Sequence, residues 1–266
     1  MHIERIACLE EEWIKVLTEL GRPDALLACT YAFQHDFFSS LLDRLKKEAV
    51  CGSVRATDGL ELTNPIDVIC DRHRYEGHKV GFNVHFWDKD ARLFHPKLMI
   101  GLFGKRVVWS SGSLNLTRAG WMRNRELAMF HTPARPILPR SLRALLKELP
   151  ANASASSILK ATVDGPDRIG SSIFVSSLNQ PIGPHFLRGL PSDAHAVHLV
   201  APFFDRKESG GNSLDLSWME SLSGRCPKAA FHLYLPLLNE EELLVQGDAR
   251  VFRSFEKHLR RSGRNL

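Results

Sequence analysis

The sequence predicts an α/β fold, a mixed sheet flanked by helices, followed by a second and incomplete repeat of the same plan. Three observations predict it: apolar runs of the length of buried strands, helical spacing between them, and recurrence of that order in the second half. Glu10–Leu20 has helical spacing and is stopped by Gly21-Arg22-Pro23. Ala25–Phe33 is an apolar run suited to a strand covered on both faces, and Asp36 is placed to cap a helix over Phe37–Lys47. Ile66–Cys70, Lys79–Trp87, Lys97–Phe103, Arg106–Ser110 and Glu126–His131 follow as β-rich runs separated by Gly, Asn or Asp.

Between Pro150 and Asp167 the composition turns to Ala, Ser, Asn and Gly without sustained periodicity. A linker is therefore expected over 151–170, between a half-domain at 1–150 and another at 171–266. In the latter, His195–Asp205 and Ala229–Leu237 have strand character and Leu214–Leu222 helical character. Laying Phe33 on Phe204 gives an offset of 171 residues, with a helix and a strand following in both copies.

With 44% hydrophobic and 24% charged residues among 266, the chain has the composition of an ordered globular protein, and disorder is excluded. No stretch reaches the roughly 18 apolar residues of a membrane helix. The segment Met1–Trp13 carries acids where a signal peptide has basic and then apolar residues. A cytoplasmic protein without stable membrane association is expected. Five cysteines, Cys8, Cys29, Cys51, Cys70 and Cys226, are odd in number and form no C-x-x-C pair, so reduced thiols are expected rather than a disulfide framework. The net charge of +5 is unevenly spread: Ala91–Lys147 holds eleven Lys or Arg against one acid, Glu126, while the remainder is net acidic. Positive charge gathered in one segment suits a polyanionic partner, with a solvated basic face as the plainer alternative.

The same segment carries the chemistry. His95-x-Lys97 is followed after fourteen residues by Gly112-Ser113-x-Asn115 and after ten more by Glu126. A lone H-x-K says little; the combination says more. Side chains two apart on a strand share a face, so His95 and Lys97 project together, as do Ser113 and Asn115 if their turn leaves the strand extended. An imidazole can attack phosphorus while an ammonium, an amide and a hydroxyl contact the oxygens on which transition-state charge spreads. Such chemistry requires no metal, and no cofactor is expected. Glu126 is placed to orient the imidazole or, more plainly, to pair with a neighbouring arginine.

These residues, His95, Lys97, Gly112, Ser113, Asn115 and Glu126, resemble one catalytic half-motif of the phospholipase D superfamily, and the strand–helix plan around them is similar over most of the chain. Leu102 stands where many members have Asp, a substitution that resembles the tyrosyl-DNA phosphodiesterase branch. The stretch Ser111–Gly120 is similar to nuclease-like members. The resemblance implies a phospholipase D-like fold and a metal-independent phosphodiesterase acting on nucleic acid through a covalent phosphohistidine, with two H-x-K motifs per site. No other histidine here begins H-x-K, and the repeat offset would start the second motif at residue 266. Three arrangements follow: a homodimer that pairs two copies of His95, a partner chain that supplies the second motif, or an incomplete and inactive site.

Arg118, Arg123 and Arg125 are candidate phosphate contacts, or solvated surface residues. Trp109 and Trp121 can stack on bases, although core packing is the ordinary place for indoles. Cys70, His73, His78 and His85 match no structural zinc spacing. Tyr31 and His35 follow the first strand, where open α/β sheets present their sites, and either lines the pocket or packs the turn. The expected partner is nucleic acid, with DNA ahead of RNA. The alternatives are phospholipid headgroup or phosphatidyl transfer, disfavoured because no basic amphipathic anchor is present, and a non-catalytic nucleic-acid-binding or scaffold subunit.

Overall fold

The computed structural model describes residues 9–51, 65–77, 82–87, 94–122, 128–169, 172–174, 182–200, 204–205, 214–234 and 249–261. Its contacts divide the chain into two units, Met1–Phe174 and Val175–Leu266. In the first unit, helix α1 (Leu9–Leu20) leads to strand β1 (Ala25–Thr30), the short β2 (Phe33–Gln34) and helix α2 (His35–Cys51). Strand β3 (Ile66–Asp71), a 3-10 turn over Arg72–Arg74, β4 (Tyr75–Glu76) and β5 (Asn83–Trp87) follow. Then come β6 (Leu98–Phe103), β7 (Arg106–Gly112), α3 (Arg118–Met122), β8 (Ala128–His131), β9 (Ile137–Pro139), α4 (Arg140–Glu148), α5 (Ala153–Ala161), β10 (Val163–Gly165), β11 (Arg168–Ile169) and β12 (Ser172–Ile173).

Six strands form one mixed sheet in the order β5-β3-β1-β6-β7-β8. β1 pairs in parallel with β3, and β3 with β5. β1 to β6, β6 to β7 and β7 to β8 are antiparallel. Every residue of β1 and β6 is buried, as a centrally placed strand covered on both faces requires. Alternate residues point to opposite cores. Leu26, Ala28 and Val68 meet Trp13 and Val16 of α1 and Phe38, Leu41 and Leu45 of α2. Ala25, Leu27, Cys29, Ile100 and Trp109 meet Leu142 and Leu146 of α4 and Ala155 and Ile158 of α5. Gly101 has no side chain because a Cβ there would stand 2.6 Å from the Phe103 ring and 3.3 Å from Trp13.

The segment expected as a linker differs from its composition. Residues 153–161 form α5, and the unit boundary falls after Phe174. Asn152 caps this helix by accepting from the Ala155 amide at 2.7 Å. From β3, Asp67 accepts from the Ser154 amide at 2.9 Å and its hydroxyl at 2.6 Å. That carboxylate also lies 2.6 Å from Nε2 of His85 on β5, so one buried acid ties β3, β5 and α5 together. Burial opposes its ionisation, but the Ser154 hydroxyl, His85 and the Ser154 amide outweigh that cost and hold the Asp67 carboxyl below the usual carboxylate range. Asp36, expected as a cap, instead lies in the first turn of α2, which starts one residue earlier.

The second unit contains α6 (Ile182–Gly189), β13 (Ala196–Val200), β14 (Phe204–Asp205), β15 (Leu214–Asp215), α7 (Leu216–Arg225), β16 (Ala230–Tyr234) and α8 (Ala249–Arg261). β13 and β16 pair in parallel with α7 between them in sequence, the connectivity that β1, α2 and β3 have in the first unit. Its core gathers Leu199, Phe231, Met219, Leu222, Phe255 and Leu259. Among the described residues no helix is long and apolar enough to cross a membrane.

Candidate active site

His95 and Lys97 do not lie on a strand as expected. They occupy the segment Phe94–Lys97 that leads into β6, which begins at Leu98. Pro96 between them has no amide hydrogen to give to a ladder, so regular pairing starts after it. The two side chains nevertheless meet: Lys97 Nζ lies 2.7 Å from Nδ1 and 2.9 Å from Nε2 of His95, and donates to the His95 carbonyl at 3.2 Å. An ammonium can donate only to an unprotonated ring nitrogen, so this contact belongs to the neutral imidazole. Partial burial, and then the Lys97 charge, hold the His95 imidazole below its ordinary range although the residue is open to solvent.

The carboxyl end of β1 forms the wall beside this pair. The Tyr31 ring lies 4.7 Å from that of His95, centroid to centroid, and Lys97 Nζ is 5.8 Å from the Tyr31 centroid. Thr30 at the end of β1 donates to the Ala32 carbonyl at 2.8 Å and accepts from the Leu116 amide at 3.0 Å. Asn115 Oδ1 accepts from the Ala32 amide at 3.2 Å, and Gln34 donates from its own amide to the Leu116 carbonyl at 3.0 Å. The Asn115 turn is thus stitched to the chain that carries Tyr31. Its oxygen is occupied by backbone, leaving the amide nitrogen as the donor that faces no described partner. Gly112 donates to the Lys97 carbonyl at 3.2 Å, which closes the β6–β7 ladder next to the histidine–lysine segment.

Ser113 and Gly112 are exposed at the end of β7, and the turn after them is not extended strand. Arg118 opens α3, exposed, with its amide donated to Gln34 Oε1 at 2.8 Å. Thr117 caps the same helix through Gly120 at 3.1 Å, and Gly120 has no side chain because a Cβ would stand 2.5 Å from the Asn115 carbonyl. Arg123, Arg125 and Glu126 lie outside the described residues. Trp109 is buried and stacks on His131, centroids 4.9 Å apart, while Trp121 packs near Phe37; both serve the core. Leu102 is buried toward α4 and α5, a position where a carboxylate would be desolvated without a partner.

Of the two residues flagged after β1, Tyr31 joins the site. His35 does not: it is buried and stacks on Phe82, centroids 4.8 Å apart. Cys70 is buried, His73 is exposed on the turn after β3, and His85 is engaged by Asp67; His78 lies outside the described residues. Sequence reasoning missed Arg74, whose Nε donates to the Tyr31 hydroxyl at 2.9 Å. The available signal was Arg72-His73-Arg74 directly after an apolar strand, at the carboxyl end where open sheets place sites. Together the groups offer an exposed imidazole whose surroundings favour its neutral form, an ammonium against it and an amide donor nearby, a set suited to an anionic electrophile.

No family model matches the chain, and no curated protein matches it by sequence. Similar solved structures include NucT from Helicobacter pylori, 14% identical over 57% of this chain and 84% of that one, with a TM-score of 0.30. A mutant of yeast tyrosyl-DNA phosphodiesterase 1 is 12% identical over 83% of this chain and 60% of its own, with a TM-score of 0.49. The yeast tyrosyl-DNA phosphodiesterase itself is 13% identical over 85% of this chain and 62% of its own, with a TM-score of 0.48. The chain thus spans less than two thirds of the yeast proteins it is similar to. These neighbours are members of the phospholipase D superfamily, the family that the His95–Asn115 motif resembles.

Proposed function

We propose that the chain hydrolyses phosphodiesters of nucleic acid without a metal, with His95 as nucleophile. The observation that carries the reading is the His95 ring, open to solvent with Lys97 Nζ 2.7 Å from Nδ1 and 2.9 Å from Nε2, in surroundings that lower its basicity. An incoming phosphate competes for Lys97, and as the ammonium turns to the phosphate oxygens it releases a ring lone pair. That nitrogen bonds to phosphorus, the P–O bond to the leaving oxygen breaks, and the oxygen leaves with a proton from an acid. Water then gives a proton to the base left by that acid and attacks the phosphohistidine, the P–N bond breaks, and both the ring and the acid are regenerated. Lys97, Asn115 and Ser113 hold the oxygens that gain charge on the way.

His95 cannot be both nucleophile and proton donor in the first step. The acid is supplied by a second copy of this chain or by a partner chain, which is why a homodimer is the favoured assembly. The eleven basic residues of 91–147 support a polyanionic substrate over a single diester.

The test is cleavage of labelled DNA and RNA in excess chelator by the wild type and by His95→Ala, with the solution mass measured alongside. Chelator-resistant cleavage that disappears in the variant is expected. Cleavage abolished by chelator and restored by magnesium overturns the metal-independent mechanism, and binding without cleavage favours a non-catalytic subunit.

A further inference from the structure

A second cation meets the same tyrosine ring as Lys97: Arg74 comes from the turn after β3, not from the basic segment 91–147. Its position is fixed by backbone. β3 runs parallel to β1, so both carboxyl ends reach the same edge of the sheet, and β4 pairs with β2 with Tyr75 opposite Phe33. The turn over Arg72–Arg74 is capped by Asp71, which accepts from the His73 amide at 2.9 Å. The guanidinium is fixed as well: Nε is given to the Tyr31 hydroxyl at 2.9 Å, and Cζ lies 5.6 Å from the centre of that ring. Of the acids that flank it in sequence, Asp71 accepts from the His73 amide at 2.9 Å and Glu76 from Gln34 Nε2 at 2.9 Å.

Anchoring Nε leaves the two terminal nitrogens of an exposed guanidinium, the fork that matches two phosphate oxygens, already oriented. Arg74 and Lys97 both lie within 6 Å of the centre of one ring, at 5.6 and 5.8 Å. Two cations against one aromatic ring offer contacts to two successive phosphates of one strand, and a ligand with a single phosphate leaves one cation unused. We infer that Arg74, braced on Tyr31, binds the phosphate adjacent to the scissile one on a single DNA strand. This rests on the reading of His95 and Lys97 as the centre that takes the scissile phosphate.

The experiment measures binding of fluorescein-labelled octathymidylate to His95→Ala protein as a function of salt, so that no turnover intervenes. Adding Arg74→Ala is expected to lower affinity roughly tenfold and to reduce the slope of log affinity against log salt by about one contact's share, about 0.7. Tyr31→Phe, which keeps the ring and removes the brace, is expected to cost a few-fold with the slope retained. Arg253→Ala on α8 removes the same charge elsewhere and is expected to change neither. Unchanged affinity and slope in Arg74→Ala, or an equal loss in Arg253→Ala, overturns the inference. The wild type's cleavage of labelled DNA in chelator separates the two claims: cleavage with an unchanged slope removes Arg74 alone, whereas a reduced slope without cleavage removes the catalytic reading and leaves Arg74 as a strand contact.

Discussion

His95 in the first unit and His258 in the second have opposite surroundings. His258 has the partners associated with nucleophilic catalysis, Ser223 Oγ 2.9 Å from Nε2 and Glu220 Oε1 3.7 Å from Nδ1. Yet Ser223 is completely buried, in a core with Met219, Leu222, Phe255 and Leu259, where no substrate atom can approach it. His95 touches no carboxylate or serine among the described residues, but it is open to solvent beside a cation. Access and the sign of the neighbouring charge, rather than the list of partners, separate a reactive histidine from one that pins two helices. His85 makes the same point within the first unit: its Asp67 contact has the form of an orienting pair, and the third member, Ser154, is buried at the start of α5.

The comparison breaks first at activity. Lys97→Ala is expected to reduce phosphodiester cleavage by roughly two to three orders of magnitude, as loss of a charge-stabilising donor does, and Ser223→Ala to leave it as it was. Steady-state cleavage of labelled DNA by both variants decides, and a comparable loss in Ser223→Ala would move the chemistry to the second unit. Stability separates the sites next. Asp67→Asn removes the buried charge and puts an NH2 donor in place of one of the two oxygens that His85 and Ser154 share between them, and is expected to cost about 3 kcal/mol in denaturant unfolding, in the range for breaking a buried ionic cluster. Ser223→Ala is expected to cost only about 1 kcal/mol, one hydrogen bond.

The pH dependences have opposite origins. The folded Asp67 carboxyl titrates below its unfolded counterpart, so its contribution is present above the unfolded value and is lost as pH falls through the folded one. Asp67→Asn should therefore flatten the acid limb of the stability curve. The His95 imidazole also titrates below its ordinary value, so the acid limb of cleavage is expected at lower pH than an unperturbed imidazole would give. Lys97→Gln removes the second of the two causes, and the His95 ring resonance followed by NMR should titrate at higher pH in that variant. No movement would mean that burial alone sets the shift.

Much of the fold was readable because β1 as far as Cys29 and all of β6 lack polar side chains, and because Gly21-Arg22-Pro23 stops α1 by its own chemistry. The histidine–lysine pairing was readable from spacing, though for the wrong local reason, since Pro96 keeps the pair off the strand. What sequence could not reveal depends on distant partners. Ala153–Ala161 has linker-like composition and becomes a helix because Asn152 caps it and Asp67, far away in the chain, holds Ser154. Arg74 drew no reading from the sequence because only the parallel pairing of β1 and β3 brings it to Tyr31. Ser113 and Asn115 were grouped by assumed strand alternation, whereas the turn uses the Asn115 oxygen to bind the Ala32 amide.

The central claim is that His95 forms a bond to phosphorus. The most direct measurement is a rapid acid-free denaturing quench of the protein mixed with a phosphorus-labelled diester in excess chelator, followed by mass analysis of the peptide that contains His95. We expect label on that peptide, stable to base and released by mild acid as a P–N bond is, and absent in His95→Ala. Cleavage proceeding at full rate with no label on His95, or with label on another residue, would contradict it.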